Sequence, residues 1–192
     1  MTIEKLRAVG LLVFTLALML PIQLNITEAH ESPFDFVDVT ETQLPDEQDE
    51  ILWLARAIFS ETKKRESGEM AMVAWVIRNR VDANHKGMTY KEVVLAPHQF
   101  SGLNSFDKQY RINVALDYDY GLENKAWRDA LEVARGVYGA SSFVRPFPKT
   151  VLHFYSPHTV AEPSWAKDQK PIYTILNDEK NLTRFAFYDN IK

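Results

Sequence analysis

Apolar side chains recur at the helical period through Ile51, Leu54, Ala55, Ile58 and Phe59. They predict a first amphipathic helix over about residues 47–63. Past Ser67-Gly68, the stripe Met70, Val73, Ala74, Ile77 and Val81 predicts a second helix, closed between Asn84 and Gly87. Thr89 is placed to cap a short third helix over Tyr90 to Leu95, and Pro97 stops it. Residues 98–123 show no clear period and hold Gly102, Asn104, Asp107, Asp117, Asp119 and Gly121. They read as a long loop region, and such loops in a compact domain are more often functional than accidental. Trp127, Leu131, Ala134 and Tyr138 give a further helix that ends near Gly139. Beyond Arg145-Pro-Phe-Pro148 the pattern changes. Val151 to Tyr155, Ile172 to Leu176 and Thr183 to Tyr188 are short and rich in β-branched or aromatic residues, and they read as strands. Helices first and strands last predict an α+β domain, mainly helical in its first half with a small C-terminal β element.

The N-terminal pattern differs. Lys5 and Arg7 precede an uncharged run from Ala8 to Leu20, closed by Pro21. A basic start before a short apolar run matches a secretory signal. The run falls short of the roughly 20 residues that span a bilayer, although Ile22 to Ile26 extend it. Thr27-Glu28-Ala29 is a tolerable cleavage site, so residues 1–29 are expected to be a signal peptide or an uncleaved N-terminal anchor. Residues 30–48 are expected to be an acidic linker. The folded domain is then expected over residues 49–192, working outside the cytoplasm in the periplasm or cell envelope.

Charge adds little once it is divided. Of the 192 residues, 31–50 carry eight acids and no Lys or Arg, while 51–192 carry 20 basic and 16 acidic side chains. A mildly basic body without a basic, aromatic-interleaved cluster gives no case for nucleic acid. The chain has no Cys, which excludes a disulfide scaffold, a zinc ribbon, an iron–sulfur site and a thiol nucleophile.

Other chemistries also lack their words. The five histidines (His30, His85, His98, His153, His158) form no H-E-x-x-H and no pair at helical spacing. His153 and His158 straddle a Tyr-Ser-Pro turn that would bring them near each other, or they make ordinary hydrogen bonds in a strand and a turn. Gly-x-Ser-x-Gly and Gly-rich phosphate loops are absent. No metal or cofactor is expected. Glu61 stands out, at the border of the first helix's apolar stripe. A half-desolvated carboxyl there has a raised pKa and suits proton donation, whereas the plainer reading is a surface Glu at a helix end.

The local words bear on that choice. Leu54-Ala-Arg-Ala-Ile-Phe-Ser-Glu61, Val73-Ala-Trp-Val-Ile-Arg-Asn-Arg-Val81, Gln99-Phe-Ser101, His153-Phe-Tyr-Ser-Pro157 and Pro163-Ser-Trp-Ala166 stand in this order. Together they resemble the cell-wall hydrolase family of the spore-cortex-lytic enzyme SleB, from about residue 50 to about 190. The resemblance implies a lysozyme-like fold and cleavage of the peptidoglycan glycan strand, with Glu61 matching the family's catalytic glutamate. It also implies kinship with lytic transglycosylases, which manage with one glutamate. On that footing Gln99, Phe100 and Ser101 are expected to line the cleft, unless Phe100 is a core side chain and Ser101 a turn or cap residue, and Tyr155 and Trp165 to stack on sugar faces or pack in the core. Asn79 and Arg80 are expected to brace the helix pair from behind the site, with His153 also behind it. Two departures accompany the likeness: Ser60 replaces the family's usual glycine, and Lys64 and Arg65 stand where a second Gly-Glu pair is usual.

The expected function is glycan-strand cleavage between N-acetylmuramic acid and N-acetylglucosamine, with Glu61 as general acid/base. The alternatives are a hydrolytic muramidase with a second carboxylate among Asp107, Asp117, Asp119 and Glu123, an N-acetylmuramoyl amidase, and a non-catalytic peptidoglycan-binding domain. Peptidoglycan is the expected partner of a monomer that meets the membrane only through its N-terminal segment.

Overall fold

The computed structural model describes residues 45–62, 67–177, 182–189 and 191. The signal or anchor, most of the linker and the Lys64-Arg65 departure lie outside the described residues. Helix α1 (Pro45–Thr62) begins two residues ahead of the expected start, with Pro45 in its first turn, where a backbone N–H has no intrahelical partner. Helix α2 (Ser67–Asp82) follows, then α3 (Tyr90–Leu95), whose Thr89 side chain accepts the Glu92 N–H as its cap.

The stretch expected to be loop holds a 3₁₀ turn at Ser101–Leu103 and a helix, α4 (Tyr110–Ala115). Helix α4 escaped the period search because only one of its six residues, Asn113, is buried. Helix α5 (Lys125–Gly139) is capped by Asn124, and a second 3₁₀ turn covers Ser142–Val144. Strands β1 (Val151–Tyr155), β2 (Tyr173–Asn177) and β3 (Leu182–Asp189) complete an α+β chain.

Helices α1 and α2 are not simply amphipathic. Met70 to Ile77 are buried without interruption, and α1 buries Trp53, Ala57 and Arg56 besides its predicted stripe. The reason is that α1 packs on α2, α3, α4 and α5, so several faces are covered. Arg56 tolerates burial because its Nε donates to the Leu116 carbonyl at 2.9 Å and its guanidinium lies over the Trp53 ring. Trp75, Trp127, Phe100, Phe187, Ile51 and Leu54 are among the largest fully buried side chains.

The sheet is antiparallel with β3 in the middle, in the order β1-β3-β2. His153 faces Tyr188 and Phe154 faces Phe187 across the β1–β3 ladder. Alternation sends Phe185 and Phe187 into the helical core. Ala186 and Tyr188 join a smaller cluster with Ala166, Tyr155 and Trp165. Arg184 on β3 reaches Glu69 at the start of α2, Nε to Oε2 at 3.0 Å, tying the sheet to the helices.

Candidate active site

The site grows from the last turn of α1. Ser60 is buried and its hydroxyl donates back to the Ala57 carbonyl at 3.0 Å, while Thr62 donates to the Ile58 carbonyl at 2.8 Å. Between them Glu61 is half-buried, as its position at the stripe border predicts. The 3₁₀ turn at Ser101–Leu103 closes on this end of α1. A Cβ at Gly102 would stand 3.1 Å from the Ser60 Cβ and 2.8 Å from Asn113 Nδ2, so glycine alone permits the approach. Asn113 of α4 holds the turn there by donating Nδ2 to the Gly102 carbonyl at 2.7 Å. Ser60 therefore fits because the residue facing it lacks a side chain.

Arg80 joins the two halves of the molecule. Only 5% exposed, it donates Nε to the Leu152 carbonyl of β1 at 2.7 Å. Its guanidinium stands 5.5 Å from the Phe100 ring centre and 5.8 Å from that of Phe154. Nη1 is buried with no hydrogen-bond partner. Burial lowers the Arg80 pKa to about 10, opposed by the negative charge of Glu61. A buried cation thus faces the candidate acid, supported on aromatic faces and a β1 carbonyl.

Asn79 is also fully buried, donating Nδ2 to the Val151 carbonyl at 2.9 Å and the Pro148 carbonyl at 3.2 Å. Its Oδ1 accepts from Arg145, which in turn pairs with Asp82 at 2.7 Å. Asn79 and Arg80 were expected to brace the helix pair. Their hydrogen bonds instead run to the segment entering β1, because the strand edge offers carbonyls that a helix spends internally. Arg145, read from the sequence only as the start of a break in pattern, is the missed member of this network.

Of the two readings of Phe100, the structure has the core side chain. It is fully buried beneath Arg80 and lines no cleft. Its word, Gln-Phe-Ser, alternates about the backbone: Gln99 is half-buried with Nε2 near its own Pro97 carbonyl, and Ser101 is exposed. The apolar member is the anchor.

Tyr155 and Trp165 meet each other edge-to-face at 5.7 Å, and both contact Tyr188. Trp165 also lies 5.2 Å from His153, and His153 lies 5.4 Å from His85. Both Tyr155 and Trp165 remain half-buried, partly available to a ligand. The ring neighbours of His153 are thus His85 and Trp165. Its pKa falls to about 4, through burial first and then the charges of Arg80, His85 and Lys86. Among the described residues, no three His, Cys, Asp or Glu side chains come together as a metal site would need.

Two of the four loop acids proposed as second carboxylates, Asp107 and Asp117, have local partners. Asp107 Oδ1 accepts the Gln109 N–H at 2.7 Å. Asp117 Oδ1 accepts the Asp119 and Tyr120 N–H groups, which holds its carboxyl below the usual range. Both shape turns.

The chain is α+β, with a half-buried glutamate in the last turn of its first helix within electrostatic reach of a buried arginine. Residues 63–178 match the family model described as Cell Wall Hydrolase, more than half of the chain. The protein belongs to the cell wall hydrolase family and is, in that broad sense, a peptidoglycan-cleaving enzyme. The match contains Asn79, Arg80, Gln99, Ser101, Tyr155 and Trp165 and begins two residues after Glu61. No curated protein and no solved structure matches the chain.

Proposed function

We propose that the protein cleaves the glycan strand of peptidoglycan as a lytic transglycosylase, with Glu61 as its single acid and base. The observation that carries this reading is the half-buried Glu61 within electrostatic reach of the buried Arg80. Glu61 gives its proton to the oxygen linking N-acetylmuramic acid to N-acetylglucosamine, and that bond breaks toward an oxocarbenium-like centre. The carboxylate so formed faces the Arg80 cation, which compensates the new charge in a water-poor setting. The muramoyl 6-hydroxyl then attacks its own C1, returning its proton to Glu61. The sugar ends as a 1,6-anhydro ring with no water consumed.

A hydrolase working through two carboxylates would need a second acid about 5–9.5 Å from the first. Asp107 and Asp117 each commit an oxygen to backbone N–H groups of their own loops, which leaves Asp119 and Glu123 as the acids a hydrolytic route would use. Gln99 and Ser101 supply hydrogen bonds to sugar hydroxyls, and the half-buried Tyr155 and Trp165 supply ring faces. The lysozyme-like relationship belongs to this reading, as does a working place in the periplasm or envelope, reached through residues 1–29 and spaced by 30–48.

Digestion of purified peptidoglycan followed by mass spectrometry of the soluble fragments tests the proposal. Products one water lighter than hydrolytic muropeptides are expected. Reducing-end products would replace the transglycosylase with a hydrolase, and free stem peptides would overturn glycan cleavage itself.

A further inference from the structure

An open groove of about 580 Å³ lies beside the candidate site, within the volume range of small-ligand pockets. Its walls include His98, Ser101, Asn104, Phe106, Asp107 and Tyr110. It starts at Ser101, next to the Gly102 that abuts Ser60, and so opens within two positions of the contact that flanks Glu61. Phe106 is 98% exposed at its edge. A single exposed phenylalanine is ordinary on a protein surface. This one borders a groove carrying a hydroxyl, an amide, a carboxyl and a phenol, which is the mixture that meets a pyranose: a flat apolar face and hydrogen-bonding edges.

We propose that this groove holds sugars of the glycan strand at a distance from the cleaved bond, with Phe106 as the stacking platform. The inference rests on the glycan-strand reading above. The described lining contains no Lys or Arg and includes the carboxyl of Asp107, so it is not built to attract the carboxylates of a stem peptide. The sugar faces and hydroxyls of the strand, not its carboxylates, are therefore what the groove holds. The loop holding Phe106 is fixed by backbone bonds from Asp107 N to the Asn104 carbonyl at 2.8 Å and from Tyr110 N to the Asp107 carbonyl at 3.1 Å. The ring is therefore presented on a built turn, and binding need not order the loop.

The test uses the full chain and peptide-free glycan strands of graded length. Phe106→Ala, Phe106→Trp and Phe143→Ala are compared with wild type, the last because Phe143 is 96% exposed on a different 3₁₀ turn. Loss of one buried aromatic face predicts about a tenfold lower kcat/KM for Phe106→Ala on long strands. No loss is expected on the shortest strand that is cut, near-wild-type rates for Phe106→Trp, and no effect for Phe143→Ala. Equal rates for Phe106→Ala and wild type on long strands would overturn the groove assignment. So would a loss independent of length, or one seen only with peptide-bearing strands.

A second readout separates this inference from the catalytic reading. Glu61→Gln and Glu61→Gln/Phe106→Ala are sedimented with long peptide-free strands, without turnover. Weaker retention of the double variant supports the groove even if no cleavage is found. Equal retention overturns it.

Discussion

At the scale of single residues, the account turns on polar groups buried for a purpose. Asn79 is fully buried, donates to two carbonyls and accepts from Arg145. Asn79→Ala would strand these partners, so a loss of about 2–3 kcal/mol is expected in urea unfolding. A change under about 0.5 kcal/mol would show that the α2–β1 junction does not depend on it. The sequence pointed at Asn79, Arg80 and Glu61, the last from its place at the edge of an apolar stripe. It misjudged what Asn79 and Arg80 hold, since a pattern of polar positions on a helix does not tell which carbonyls a distant strand will offer. Phe100 shows the converse: within a three-residue word, apolarity decided for the core.

At the scale of elements, the last turn of α1 and the 3₁₀ turn at Ser101–Leu103 approach closely at Ser60 and Gly102. Gly102→Ala would force its new methyl against Ser60 and Asn113, at a cost of about 1–3 kcal/mol for overpacking. Ser60→Gly in the same chain is expected to return part of that loss, because only the Ser60 contact is relieved while the Asn113 contact at 2.8 Å persists. A double-mutant cycle in thermal unfolding reads this, and strictly additive effects would contradict the contact. The elements themselves were legible: α3 with its Thr89 cap, α5 and β1 fall where period and caps put them. Helix α4 was not, because it presents almost no apolar face to detect. The near-complete burial of α1 and α2 was also hidden, since Arg56 and Arg80 look solvent-facing until their carbonyl partners are known.

For the whole molecule, the junction between helices and sheet carries a pH dependence. His153 titrates near pH 4 in the folded chain against about 6.5 when unfolded, because burial and the charges of Arg80, His85 and Lys86 disfavour its cation. Between those values the unfolded chain binds more protons, so stability falls as pH drops from about 6.5 toward about 4. With solvent screening of a half-buried ring, His153 contributes about 1–2 kcal/mol to that fall. Urea unfolding of wild type and His153→Phe at pH 7.5, 5.5 and 4 measures it. The variant is expected to lose less stability than wild type over the interval, and parallel losses would contradict the assignment. No sequence pattern foretold this, because the depression comes first from burial in the folded chain and then from the charges of Arg80, His85 and Lys86, which are distant in sequence.

The most direct test of the central claim is turnover of purified peptidoglycan by the full chain and by Glu61→Gln, with thermal unfolding of both recorded. A fall in kcat of at least about a hundredfold, with an unchanged Tm, is predicted for loss of the general acid. A Glu61→Gln enzyme that keeps wild-type kcat would contradict the account at its base.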